Sequence, residues 1–187
     1  MNEVLKTIKE RFSCRSYTGD PVPTEKLDQI VTAALQAPTA IDAQRFRLIV
    51  ITNKKLIEEL DAQALELLKN EPNPTTYERI KSRGGAVYYN APCMIIILKE
   101  TDNAHGIVDS GVMVQTIALA ASSLDINSVI CAMANIPFWP KNEKADELKK
   151  KIGWQEGYDF AMGILLGQGN TTKEPHTLHP EKVHYVK

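Results

Sequence analysis

A chain of 187 residues with 43% hydrophobic and 24% charged residues can close a core of its own, which excludes a disordered or fibrous protein. Its 22 Lys and Arg against 23 Asp and Glu leave a formal net charge of -1, so no cationic excess is present to drive phosphate-backbone binding, and nucleic acid is not an expected partner. Cys14, Cys93 and Cys131 stand far apart with no CxxC pair, which fits reduced thiols and a cytoplasmic location.

Val4, Leu5 and Ile8 fall at helical spacing and predict a short first helix that ends near Arg11. The same stretch is charged throughout and lacks the apolar run of a secretory signal. After the polar loop RFSCRSYTGDPVP, residues Leu27, Ile30, Val31, Ala34 and Leu35 predict an amphipathic helix with Thr24 as N-cap and Pro38 limiting its far end. Phe46 to Thr52 (FRLIVIT) is β-branched and apolar, which predicts a buried strand. Leu56, Ile57, Leu60, Ala64, Leu67 and Leu68 mark the next helix.

From Asn70 to Asn90 Pro, Asn, Thr and Gly break the periodicity, so a mobile or functional loop is expected there. Met94 to Leu98 is a second buried strand, and as the longest apolar stretch it is too short to span a bilayer. Asp109 to Leu124 is small and apolar nearly all round, which predicts a central helix buried on most faces and capped by Asp109 or Ser110. Asn127 to Met133 and Tyr158 to Gly167 supply two more strands, separated by a lysine-rich helix near Glu143 to Ile152. The tail from Asn170 carries Leu178, Val183, Tyr185 and Val186 without helical period and needs a surface to dock on. With no repeat or linker, this order predicts one α+β domain over residues 1–187.

Two polar constellations stand out. In RFSCRSY, an extended chain would turn Arg11, Ser13 and Arg15 to one side, where two planar guanidinium forks and a hydroxyl suit a phosphate. The competing reading is a helix C-terminus whose solvated cations complement its dipole. In APTAIDAQRF, Ala37 to Phe46, small residues beside Thr39, Asp42 and Gln44 leave backbone accessible to a flat polar heterocycle, or form a plain helix-to-strand connection.

Together RFSCRSY and APTAIDAQRFRLIV resemble the opening signatures of the FMN-dependent nitroreductase family, which read close to RRSIRxF and APSxxNxQPWxF. The resemblance continues in NAPCMIIIL and in DSGVMVQTIALAASSLDI, which is similar to the family's central-helix pattern DxGxxxQNLxLAAxxLGL. It implies a three-layer α+β fold, in which a central mixed sheet is flanked by helices and the C-terminal tail extends onto the partner subunit. It also implies a homodimer with FMN at each interface. Arg11, Ser13 and Arg15 would hold the phosphate and ribityl chain. Pro38, Thr39, Ala40 and Asp42 would cover the ring from the other subunit, with Gln44 matching the family's Gln. Cys131, Ala132, Met133 and Ala134 fall where the family offers a backbone N–H to flavin N5.

This sequence departs from the family at Asp42, where an Asn is common, at Arg45-Phe46 in place of Pro-Trp, and at His176, Leu178 and His179 in place of a C-terminal basic pair. Lys81 and Arg83 lie where relatives place substrate-side and flavin-side contacts. The implied activity is reduction of nitroaromatic, quinone or similar flat acceptors with NAD(P)H by alternation of donor and acceptor in one site. A flavin that carries the electrons needs no protein acid or base, so no catalytic residue is nominated. The alternatives are a dehydrogenase or dehalogenase on the same fold, or a flavin-binding dimer without reductase activity.

Other signals are weaker. His176, His179 and His184 lack acidic or Cys companions, so no metal site is expected. Gly163, Gly167 and Gly169 form no GxGxxG opening a helix, which argues against a dinucleotide loop. His105, Asp109 and Ser110 are neighbours in sequence only, which is poor support for a triad.

Overall fold

The computed structural model describes residues 1–187. Its elements are α1 (Glu3–Glu10), α2 (Thr24–Leu35), β1 (Phe46–Ile51), α3 (Lys54–Lys69), α4 (Thr75–Lys81), β2 (Cys93–Glu100), α5 (Gly106–Ser123), β3 (Asn127–Ile130), α6 (Glu143–Lys151) and β4 (Tyr158–Gly167). Short 3-10 turns occupy Ala40–Asp42, Ala132–Phe138 and Pro180–Lys182. The expected α+β class is observed.

The sheet order is β1-β2-β4-β3, and every named pair is antiparallel. The expected mixed character reduces to one isolated parallel bridge, Ser13 with Ser128. Six successive residues of β2, Cys93 to Leu98, are buried because alternate side chains feed two different cores. Met94, Ile96 and Leu98 join a cluster with Leu60 and Leu68 of α3, Tyr88 and Leu148. Cys93, Ile95 and Ile97 join a second cluster with Ile30 of α2 and Met113, Ile117 and Ala121 of α5. The sheet is thus the middle of three layers. Each such Ile or Leu removed from water contributes about 1.5 to 3 kcal/mol, which makes β2 the spine of the fold.

Several expectations are corrected. β1 lies at the sheet edge and is only partly buried, because it has a hydrogen-bonded neighbour on one side alone. Pro23, not Thr24, occupies the cap position of α2, and no side chain caps that end. The segment from Asn70 to Asn90 contains the two-turn helix α4, anchored in the core by Ile80. α5 begins at Gly106, three residues before the expected caps; the Ser110 hydroxyl donates instead to the Gly106 carbonyl at 2.6 Å. β3 stops at Ile130 because the chain coils into a 3-10 turn from Ala132.

α5 is also not buried on most faces. One side packs on α2 and the sheet while Ile107, Val108 and Val112 are exposed. By length and composition α5 alone is long and apolar enough to cross a membrane, a weak signal that a core helix packed on a sheet gives equally. α1 buries no residue at all, although Val4, Leu5 and Ile8 form an apolar stripe.

Candidate functional site

The segment after α1 runs extended, as the alternation of Arg11, Ser13 and Arg15 requires. Cys14 N–H donates to Ser128 O at 2.9 Å, Thr18 N–H to Gln168 O at 2.9 Å, and Asn170 N–H to Ser16 O at 3.0 Å, which laces it to β3 and the residues after β4. Cys14 points into the core and is fully buried, whereas Arg15 is exposed. Gly169 permits the close approach, since a Cβ there would lie 2.8 Å from the Cys14 sulfur and 2.7 Å from Asn127 Oδ1.

Arg15 reaches the mouth of a cavity of about 530 Å³. One wall is the end of β3 and the turn beyond it: Val129, Ile130, Cys131, Ala132 and Met133. The opposite wall is Arg79 and Ile80 of α4, then Arg83, Ala86 and Tyr89 from the connection to β2. Three guanidinium groups therefore face one hollow, no carboxylate lines it, and none of the three arginines is in an ion pair. Cations left without acidic neighbours around a partly apolar cavity favour an anionic ligand with a flat body, which Tyr89 can stack against.

The β3 wall is set by glycine. Cys131 N–H donates to Gly163 O at 2.8 Å, and a Cβ on Gly163 would stand 2.6 Å from Ala134 Cβ and 2.7 Å from Cys131 O. Only a residue without a side chain lets the turn lie this close to β4. Burial pushes the Cys131 thiol up to about 11, so it stays neutral at ordinary pH and acts as a small apolar residue. Tyr88 is buried beside it, and its hydroxyl donates to Met133 O at 3.4 Å, joining the two walls.

Of the residues expected from sequence, the structure brings Arg15, Cys131, Ala132 and Met133 to this cavity, with Ala134 packed behind them. Arg11 sits instead in a hollow of about 30 Å³ with Phe12, Asn127 and Ser128, and Ser13 is held at the bridge to Ser128. Pro38, Thr39, Ala40, Asp42 and Gln44 line no part of the cavity in their own chain. Their loop is tightly wound: Ile41, Asp42 and Gln44 all have φ near +50°. It is held by Ala40 N–H to Asp109 Oδ1 at 3.0 Å, Gln44 N–H to Thr39 Oγ1 at 3.0 Å, and Gln44 Nε2 to Asp42 Oδ1 at 3.1 Å. Asp109, expected as a helix cap, is the anchor of this loop. His176 is exposed and makes no hydrogen bond, and Lys81 lies outside the cavity.

Arg79 and Tyr89 were not among the expected residues. The signal was present in YERIKSR, where Arg79 on α4 and Arg83 just beyond its end stand four apart at helical spacing, but the surrounding Pro and Gly hid the helix.

A family model described as the nitroreductase family matches residues 8–168. A solved nitroreductase with bound FMN from Desulfitobacterium hafniense is 41% identical, with a TM-score of 0.94 and both chains covered over 100% of their length. A protein of Methanothermobacter thermautotrophicus, provisionally named NADH dehydrogenase/NAD(P)H nitroreductase, is 30% identical over 99% of this chain and 87% of its own. An FMN reductase [NAD(P)H] of Bacillus subtilis is 44% identical over 63 residues, 32% of this chain and 25% of that protein.

Proposed function

The chain belongs to the nitroreductase family, and from that premise we propose that it is an FMN-dependent oxidoreductase. It takes electrons from NAD(P)H and passes them to a flat acceptor of the nitroaromatic or quinone type. The observation that carries the reading is the 530 Å³ cavity ringed by Arg15, Arg79 and Arg83 without a carboxylate among them. That donor set fits FMN: a phosphate monoester needs guanidinium partners, and a flavin ring needs an aromatic or apolar wall such as Tyr89, Val129 and Met133.

When bound, FMN supplies the redox chemistry. The chain's part is to bind, orient and shield. Arg15 is assigned to the phosphate, and the Cys131 to Ala134 turn offers backbone groups to the ring edge. Arg11, Ser13 and His176 remain in the proposed cofactor set on the family resemblance, with Arg15 carrying the main role because it alone of the four lines the cavity.

The second half of the proposal is a homodimer built on the whole of residues 1–187. Uncovered Val4, Leu5 and Ile8 of α1, Ile107, Val108 and Val112 of α5, and Leu178, Tyr185 and Val186 of the tail form more exposed apolar surface than a small monomer ordinarily leaves in water. Because Pro38, Thr39, Ala40, Asp42 and Gln44 lie away from the cavity of their own chain, a second copy is the route by which that loop reaches a flavin. Three free, buried cysteines suit a cytoplasmic enzyme.

The test is anaerobic spectroscopy of the FMN-loaded protein. The yellow flavin band should bleach on addition of NADH or NADPH and return when a nitroaromatic or quinone is supplied. A flavin-loaded protein whose band ignores both nucleotides contradicts the assignment.

A further inference from the structure

The wall that carries Arg83, Ala86 and Tyr89 has little regular structure to hold it. Gly84 and Gly85 have φ of +102° and +80°, and Tyr89 and Asn90 have φ of +55° and +61°, so the chain from 84 to 90 repeatedly enters the left-handed region. Its own hydrogen bonds are local, Gly85 N–H to Ile80 O at 3.0 Å and Ala91 N–H to Tyr88 O at 2.9 Å. The one side chain from another element that grips this backbone is Asp61 of α3. Its carboxylate accepts Val87 N–H at 2.9 Å to both oxygens and Tyr88 N–H at 3.2 Å to Oδ2.

Those two residues sit between the two cavity-lining positions. Val87 and Tyr88 turn inward and are fully or almost fully buried, whereas Ala86 and Tyr89 on either side face the 530 Å³ cavity. Behind the wall is a second hollow of about 300 Å³, lined by Asp61, Ile57 and Leu65 of α3 together with Gly84, Gly85 and Ala86. The segment is thus a partition with space on both sides. Without a tether it could sink into the rear hollow and widen the front one.

We infer that Asp61 is a positioning residue for cofactor binding, which fixes the partition through the Val87 and Tyr88 amides so that Tyr89, Arg83 and the end of α4 close on the ligand. The inference rests on the reading that the 530 Å³ cavity holds FMN. Burial pushes the Asp61 carboxyl up and the two amides oppose that rise, so the group is kept against a desolvation cost that a purely apolar residue on α3 would avoid.

The experiment is an FMN titration of the full-length wild type, Asp61→Ala and Asp61→Asn, read by flavin fluorescence. It is run at a temperature where circular dichroism shows all three equally folded. Asp61→Ala should weaken FMN binding by about tenfold or more, as the loss of a charge-assisted hydrogen-bond pair implies. Asp61→Asn, whose remaining oxygen at the Oδ2 position can accept both amides while its NH2 faces the Val87 N–H, should recover part of the affinity that alanine loses. Bound FMN should also be quenched more readily by iodide in the alanine variant.

If Asp61→Ala does not fold, Asp61→Glu carries the test, since it keeps the charge but moves the acceptors outward by one methylene and should also lose affinity. Folded Asp61→Ala, or folded Asp61→Glu in its place, binding FMN as tightly as wild type overturns the positioning role. So does a loss of affinity that asparagine leaves uncorrected. Failure of the wild type itself to bind FMN would instead remove the cavity assignment on which the role rests.

Discussion

Arg15 is the residue on which the proposed cofactor recognition turns, because the sequence points to it and it faces the cavity without an acidic partner. A guanidinium to phosphate hydrogen bond has a net worth of about 1.5 to 3 kcal/mol. Arg15→Ala should therefore weaken FMN about 10- to 150-fold while leaving riboflavin, which lacks the phosphate, nearly unchanged. Equal losses for both ligands in a fluorescence titration would make Arg15 structural. Arg11 was expected to share this role from strand alternation, which places Arg11, Ser13 and Arg15 on one side. Alternation sets direction but not where a wall ends, and the neighbours Asn127 and Ser128 enclose Arg11 in a separate hollow. Asp109 shows the same limit: its place at the start of an apolar run suggested a cap, whereas its carboxylate bonds Ala40 across the fold, a pairing 69 residues apart that no local pattern encodes.

At the scale of elements, what was legible followed from strong periodicity. α2, α3, α6 and β4 appear close to where their apolar spacing puts them, because each has a single well-defined buried face. α4 was hidden, since a helix of seven residues between Pro74 and the glycines at 84 and 85 shows too few turns for a period to emerge. It carries Arg79, so the missed element and the missed site residue are one event. β1 looked like a buried strand because Leu48, Ile49, Val50 and Ile51 are apolar, but its position at the sheet edge is a property of topology. The glycines of β4 had no evident purpose in sequence; in the fold Gly163 makes room for the Cys131 to Ala134 turn. Gly163→Ala must displace that turn and should cost about 1 to 3 kcal/mol of stability, as overpacking of a tight contact does. Thermal unfolding is the check, and a variant as stable as wild type would show that the turn yields freely.

For the whole molecule, the uncovered faces of α1 and α5 and the apolar tail predict an assembly of two copies. Obligate interfaces of this kind bury about 2,000 to 5,000 Å². Light scattering at micromolar concentration should give twice the 20.8 kDa of one chain. Val108, which is 68% exposed in the single chain, is the position to challenge it. Val108→Glu should leave the secondary structure intact and shift the protein toward monomer, with FMN affinity falling in parallel as the loop of residues 38–44 is withdrawn. A dimeric, FMN-tight Val108→Glu variant would place the interface elsewhere.

The central claim is that the cavity between Arg15, Arg79, Arg83 and the Cys131 turn binds FMN. Calorimetric titration of the flavin-free protein with FMN tests it most directly. Saturable binding of one FMN per chain is predicted, with riboflavin binding more weakly because it lacks the phosphate that the arginines recognise. A folded protein that takes up no FMN, or binds riboflavin and FMN alike, would contradict the claim.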